Sequence, residues 1–255
     1  MALHGTAQYD TMLLTERGMK EDHQMPLYYL DWTYLLLIPG LILGLWAQHR
    51  VNSTYQEYGK VGTALGRPAC EVAQDLLRRN GNAEVRVGRV HGQLTDHYDP
   101  AKEVLNLSDG VYGSSSVAAL GVAAHEAGHA MQKQEGYAPL KLRTAAVPIV
   151  NFGSSAATPL FVLGLIFSWQ PLVYVGIALF SLSVIFALIT LPVEFDASRR
   201  AMVAIAQSEL LTEEEQRGAR KTLSAAALTY VAATAVALSQ LLRLLILFGG
   251  RRKND

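Results

Sequence analysis

Residues 123–132 read AAHEAGHAMQ and contain the pattern HExxH. On a helix, His125 and His129 project from nearly the same face one turn apart, so both imidazoles can reach one metal ion. Glu126 lies beside them and can take a proton from an activated water. The alternative is a helix with two surface histidines, but the flanking VAAL (117–120) and VAA (122–124) are apolar on most faces. A buried HEAGH without a partner would carry costly unsatisfied polar groups, so the pattern indicates a Zn²⁺ site.

Zinc in a catalytic site needs a third protein ligand and an open position for water. Glu135 occupies the third-ligand position of HExxHxxGxxH proteases, where the chain turns at a glycine, but Gln132 stands in that place here. If the helix continued, Glu135 would lie about 15 Å along the axis from His125. Glu194 is the better candidate, because a charge directly after an apolar span is expensive unless it has a purpose. The other interpretation of Glu194 is an interfacial glutamate that ends the span.

The composition favours a membrane protein, because half of the 255 residues are hydrophobic and only 17% are charged. A net charge of zero gives no indication of nucleic acid binding, and the single Cys70 excludes an internal disulfide or a cysteine metal cluster. Four segments have the length of about 20 apolar residues that a spanning helix requires. They lie near 27–47, 147–169, 171–193 and 225–248. We therefore predict a mainly α, multi-pass membrane protein with a small α+β catalytic region; the alternative is that the second or fourth segment is a buried helix of a soluble core.

The spans divide the chain into a polar leader, 1–24, expected to be disordered, and a single domain, 25–255. We hypothesise that Met25 is the first residue of the natural protein. A catalytic loop, 48–146, and a third-ligand helix, 194–222, remain between the spans. With four spans both regions fall on the same side of the membrane, which supports pairing HEAGH with Glu194.

Within the catalytic loop, helical spacing over 65–79 predicts a helix that ends at Asn80-Gly81. Alternating residues predict strands at 84–87, 93–95 and 103–107, with a turn at 97–100 between the last two. Ser108 and the serines 114–116 are candidate helix caps, the latter for the helix that carries HEAGH.

Together these segments resemble the YugP-type membrane zinc metallopeptidases, a bacterial family of multi-pass proteases, over nearly everything from Met25 to the end. The carrying segments are LTDHYDP (94–100), SVAALGVAAHEAGHAMQ (116–132), GYAPLKLR (136–143), LPVEFDASRRA (191–201) and LSAAALTYVAA (223–233). The resemblance implies a gluzincin-like site, with His125 and His129 as zinc ligands and Glu126 as catalytic base.

Glu194 carries over as third ligand by analogy with membrane proteases of the HtpX and CAAX-processing type. Those proteases have ExxxD, in which the aspartate one turn after the ligand steadies a zinc histidine. Here the matching position is Ser198, while Asp196 lies two residues after Glu194. The residue that orients each histidine is therefore left open.

The expected reaction is hydrolysis of peptide bonds in membrane-associated or membrane-proximal proteins, with the bilayer and a protein or peptide substrate as partners. Glu126 would pass the proton of the attacking water to the leaving amine. Tyr230 is the first candidate to stabilise the oxyanion, followed by Arg199 and His97. The strand 103–107 could pair with an extended substrate as an added strand.

Two other functions compete with this hypothesis. An intramembrane protease of the site-2 type would carry HExxH inside a span, but the helix from Ser116 has only nine residues before His125. A non-catalytic, zinc-stabilised membrane scaffold or adaptor would not need the acid at Glu126.

Lysine and arginine in short loops mark the cytoplasmic face of a membrane protein. The loops 48–146 and 194–222 carry eleven and five of these residues, against two in the leader and three after residue 250. We therefore expect the site on the cytoplasmic side of the bacterial cell membrane, with both termini outside, although the three at the tail oppose this orientation.

Overall fold

Helices account for most of the protein in the computed structural model, which describes residues 31–249. The chain divides into two units between Leu35 and Leu36, and the architecture below, apart from residues 32–35, is that of the second unit. A 3-10 helix runs Trp32–Leu37, and the α-helices are α1 (Ile38–Tyr58), α2 (Ala69–Arg79), α3 (Asp109–Tyr112), α4 (Val117–Gln134), α5 (Ala138–Ile166), α6 (Gln170–Ser208) and α7 (Glu213–Gly249). The predicted leader 1–24 lies outside the described residues.

Four helical stretches are long and apolar enough to cross a membrane: Trp32–Tyr58, Ala138–Ile166, Gln170–Ser208 and Glu213–Gly249. Only 11–22% of their most apolar windows is buried inside the protein, so most of this apolar surface faces outward, as it does in lipid. Together with the small sheet described below, they confirm the predicted fold class. The apolar exposure also disfavours a soluble-core role for the second and fourth segments.

Two of these helices extend far beyond the bilayer. A helix of 39 residues such as α6 is about 58 Å long, whereas the hydrocarbon core is about 30 Å thick. The region 194–222 is consequently not one separate helix: α6 continues to Ser208 and α7 begins at Glu213. Glu209 adopts a left-handed conformation that ends α6. Thr212 and Glu215 then form reciprocal side-chain to backbone hydrogen bonds that start α7 as a capping box.

The small sheet has three strands, β1 (Arg86–Val90), β2 (His97–Asp99) and β3 (Val104–Ser108), in the order β1-β3-β2. β1 pairs with β3 in parallel from Arg86↔Val104 to Val90↔Ser108. β2 pairs with β3 antiparallel from His97↔Asn106 to Asp99↔Val104. The strand predicted at 103–107 is therefore confirmed, shifted by one residue. The strand predicted at 84–87 begins two residues and ends three residues later than expected.

Two details of the predicted loop are wrong. No strand forms at 93–95, and 97–99, assigned to a turn, is the strand β2. The turn begins at Asp99, whose carboxylate accepts hydrogen bonds from the backbone N–H groups of Ala101 and Lys102. The helix predicted from residue 65 starts at Ala69, because Gly66 is left-handed and Pro68 is extended at the N-cap.

The helix that carries HEAGH, α4, is the centre of the catalytic region. Ser116 caps it, as predicted, by accepting a hydrogen bond from the backbone N–H of Ala119. Fourteen of its eighteen residues are buried, and its apolar side chains share one core with α2, β3 and the C-terminal part of α6. Because α4 is not among the candidate spans, HEAGH lies outside any span within the described residues.

Candidate metal centre

Two helices that are far apart in sequence bring three potential ligands together. His125 and His129 project from α4, and Glu194 projects from α6 directly after the apolar part of that helix. The Nε2 atoms of His125 and His129 lie 3.2 and 3.6 Å from Glu194 Oε2. One ligand atom from each residue can be chosen so that all three lie within 4.8 Å of one another.

The donor set fits a zinc ion. Two nitrogen or oxygen ligands at about 2.0–2.1 Å from a tetrahedral ion are about 3.3 Å apart, close to both measured nitrogen to carboxylate distances. Two imidazoles and one carboxylate leave the fourth position open, as catalytic zinc sites require. Glu194 is only 2% exposed, so its charge is removed from water and must be balanced by cationic groups in contact with it.

Gly128 permits the close contact between the two helices. A Cβ at this position would lie 2.4 Å from the backbone oxygen of Ala197, far inside van der Waals contact. The absence of a side chain at residue 128 thus allows α6 to approach α4 closely enough for Glu194 to meet the histidines.

Each histidine has an oxygen partner at its second ring nitrogen. Ser198 Oγ lies 3.1 Å from His125 Nδ1, and Gln132 Oε1 lies 3.0 Å from His129 Nδ1. Such partners fix the ring orientation and leave Nε2 available for the metal. Ser198 stands at the position of the ExxxD aspartate and contacts the histidine, whereas Asp196 contacts Gln132 instead.

The acidic surroundings favour the protonated imidazole of His129. Its burial lowers the pKa, but the hydrogen bond to Glu194 and the charges of Glu126 and Glu194 outweigh burial and raise the pKa above its usual value. Protonation of His129 therefore competes with metal binding at this ring.

Arg143 holds the second carboxylate oxygen of Glu194. Its Nη1 atom lies 3.2 Å from Oε1, while Oε2 faces the two histidines. The guanidinium comes from α5, so three helices meet at this carboxylate. With Oε1 engaged, Oε2 is the oxygen presented to an ion.

The two predicted catalytic residues lie beside this cluster. Glu126 is buried, and its charge acts on both His129 and Tyr230. Tyr230 comes from α7 and is close enough for the charges of Glu194 and Arg143 to act on its hydroxyl, while the residue is 37% exposed. A hydroxyl at the edge of the cluster can donate a hydrogen bond to a bound substrate.

The other candidates from the sequence are engaged elsewhere. His97 bonds to Thr95 and Asn106 within the sheet, and Arg199 pairs with Asp196. Glu135, rejected as a ligand, pairs with Arg200 at 2.6 Å. The strand at 103–107 cannot accept an added strand, because β3 is the central strand with a partner on each side.

Sequence reasoning did not identify Gln132 and Arg143 as parts of the site. The signal available for both was their place in the segments 116–132 and 136–143 that carry the resemblance. Their contacts depend on how α4, α5 and α6 pack, which the local pattern does not specify.

Comparison with known proteins agrees with this geometry. The model of a family described as "Putative neutral zinc metallopeptidase" matches residues 33–249. The chain is 47% identical over 220 residues to the "Putative membrane protease YugP" of Bacillus subtilis (strain 168), covering 86% of this chain and 98% of that protein. No solved structure matches the chain. The family model spans most of the chain and the relative is similar over nearly its whole length; the chain therefore belongs to the YugP-type family of zinc metallopeptidases.

Proposed function

We propose that this protein is a zinc-dependent endopeptidase of the membrane that hydrolyses peptide bonds close to the bilayer surface. The observation that carries the proposal is the cluster of His125, His129 and Glu194 with Glu126 beside it. A carboxylate next to a two-histidine, one-carboxylate centre is the arrangement that metal-assisted hydrolysis requires.

Each residue of the site has a separate role in the proposed reaction. Zinc, when bound to His125, His129 and Glu194, polarises the scissile carbonyl and lowers the pKa of a water molecule. Glu126 accepts the proton of the attacking water and delivers it to the leaving nitrogen. Tyr230 donates its hydroxyl hydrogen to the oxyanion, and Arg143 holds Glu194 in place. Arg199 and His97 have no role in this scheme because their side chains are engaged elsewhere.

The proximity to the membrane determines which substrates are accessible. Glu194 follows directly on the apolar part of α6, and α5 begins only four residues after α4 ends. The site therefore lies close to the ends of two spans, and its substrates are membrane proteins or peptides at the membrane surface. An extended peptide could pair with the outer edge of β2, which has no strand partner within the described residues.

We place the site on the cytoplasmic side, on the strength of the sixteen lysines and arginines in the two loops that hold it. A reporter fused after Asp255 tests this orientation. We expect activity only from a reporter that works outside the cytoplasm, and activity only from a cytoplasmic reporter would reverse the topology.

Metal analysis combined with a cleavage assay tests the function. The purified protein is expected to hold one zinc per chain and to cleave an unfolded membrane-protein substrate in a chelator-sensitive way. Stoichiometric zinc without cleavage of any substrate would favour the zinc-stabilised scaffold. Trapping with Glu126→Gln in the native host, followed by mass spectrometry, would then identify bound proteins.

A further inference from the structure

We propose that Gln132 is a positioning residue for His129 and that Asp196 positions Gln132 in turn. This inference rests on the proposed zinc site. It concerns which side chains fix the direction in which His129 presents its lone pair.

Gln132 is fully buried, and the heavy atoms of its amide are all engaged. It follows His129 by three residues on α4, and its Oε1 atom lies 3.0 Å from His129 Nδ1. Its Nε2 atom donates to the backbone oxygen of Val193 at 2.8 Å and to Asp196 Oδ2 at 2.9 Å. The side chain therefore joins α4 to α6 next to the third ligand, Glu194.

The chemistry of the partners determines the orientation of this amide. A backbone carbonyl and an ionised carboxylate are acceptors only, so both must face the NH₂ group of Gln132. The amide oxygen then faces His129, where it can only accept. His129 must therefore carry a proton on Nδ1, which leaves Nε2, 3.6 Å from Glu194 Oε2, as the nitrogen available to a metal ion between them.

Two arginines hold the carboxylate of Asp196 in place. Arg199 and Arg200 both hydrogen-bond its carboxylate, and Asp196 is only 9% exposed. A displaced Asp196 would remove one of the two acceptors that hold the NH₂ group of Gln132. The arginines thus act on His129 through Asp196 and Gln132.

Replacing Gln132 by methionine tests the first link, because methionine keeps the volume and removes both hydrogen-bonding ends. Gln134→Met is the matched control: Gln134 is an exposed glutamine on the same helix that bonds to Asn82 and Gly81, away from the histidines. Zinc affinity, measured by competition with a chromophoric chelator, is expected to fall about 10- to 100-fold in Gln132→Met and to stay unchanged in Gln134→Met. The visible absorption of bound Co²⁺ is expected to change only in the former.

A second pair of variants tests the link to Asp196 and guards against a failure of Gln132→Met to fold. Gln132→Glu still accepts from His129 but places a carboxylate oxygen against Asp196 and Val193, so zinc affinity is expected to fall about tenfold. Adding Asp196→Asn supplies an amide donor to that carboxylate and is expected to recover at least about threefold of the lost affinity.

The outcomes separate this inference from the proposed function. A wild-type protein that binds no zinc overturns the proposed function. The role of Gln132 is overturned if the wild type binds zinc, His125→Ala does not, and Gln132→Met binds zinc as tightly as the wild type. A double variant that binds no better than Gln132→Glu alone overturns the role of Asp196.

Discussion

Substitution of Gly128 by alanine is expected to separate the two halves of the metal centre. The added Cβ would lie 2.4 Å from the backbone oxygen of Ala197, whereas ordinary van der Waals contact begins near 3.4 Å. The obstacle is backbone rather than a flexible side chain, so α6 must move by about 1 Å relative to α4. Glu194 would move with α6, away from the histidines of α4.

The expected magnitude follows from two opposing terms. Overpacking of this kind costs about 1–3 kcal/mol, while alanine is favoured over glycine inside a helix by about 1 kcal/mol. Gly121→Ala is the matched control, because a Cβ at this position on the same helix meets Ala219 at an ordinary 3.5 Å. The propensity gain is common to both variants, so Gly128→Ala should be less stable than Gly121→Ala by about 1–3 kcal/mol.

Zinc binding is the more sensitive measurement, because metal sites tolerate changes in ligand distance of only about 0.2 Å. We expect Gly128→Ala to lose at least about tenfold in zinc affinity and to melt below Gly121→Ala in thermal unfolding of the detergent-solubilised protein. The reasoning is refuted if Gly128→Ala binds zinc as tightly as the wild type and melts no lower than the control.

Three further predictions concern the surroundings of the ligands. Arg143→Met frees Glu194 Oε1 and should weaken zinc binding about tenfold, measured by chelator competition. Arg143→Lys should have an intermediate zinc affinity. Equal affinity in the wild type and both variants contradicts the role of Arg143. Tyr230→Phe should lower kcat about 100-fold while zinc content stays at one per chain, and an unchanged kcat in a peptide cleavage assay removes Tyr230 from the mechanism. Because the raised pKa of His129 keeps a proton on the ring up to a higher pH, zinc loading in equilibrium dialysis should fall as the solution is acidified, and the loss should begin at a higher pH than an ordinary histidine would give. Glu126→Gln removes one of the charges that raise this pKa and should shift the loss to lower pH; the same midpoint in both proteins contradicts the assignment.

Features that depend on local periodicity could be predicted from the sequence. The four-residue spacing of His125 and His129 determines that they share a helix face, and the cap at Ser116 depends on neighbouring residues alone. Glu194 could be identified because a charge at the end of a long apolar run is costly in a membrane. The candidate spans needed only length and composition.

Features that depend on long-range packing could not be predicted in this way. The strand β2 is only three residues long and forms because β3 pairs with it, so alternation alone pointed to residues 93–95 instead. The central place of β3 follows from a parallel partner, β1, that lies about 18 residues earlier in the chain. Ser198, Gln132 and Arg143 make their contacts with the cluster only when three helices meet, although the ExxxD comparison had already drawn attention to position 198.

The central claim is that Glu126 performs proton transfer next to an intact metal centre. Glu126→Gln keeps the size of the side chain and cannot accept the proton, and Glu213→Gln on the exposed start of α7 serves as the matched control. The measurement is zinc content and peptide cleavage rate on the same purified samples. We predict one zinc per chain in all three proteins, a wild-type rate in Glu213→Gln, and a rate lower by about 100-fold or more in Glu126→Gln. Cleavage by zinc-loaded Glu126→Gln at the wild-type rate would contradict the account.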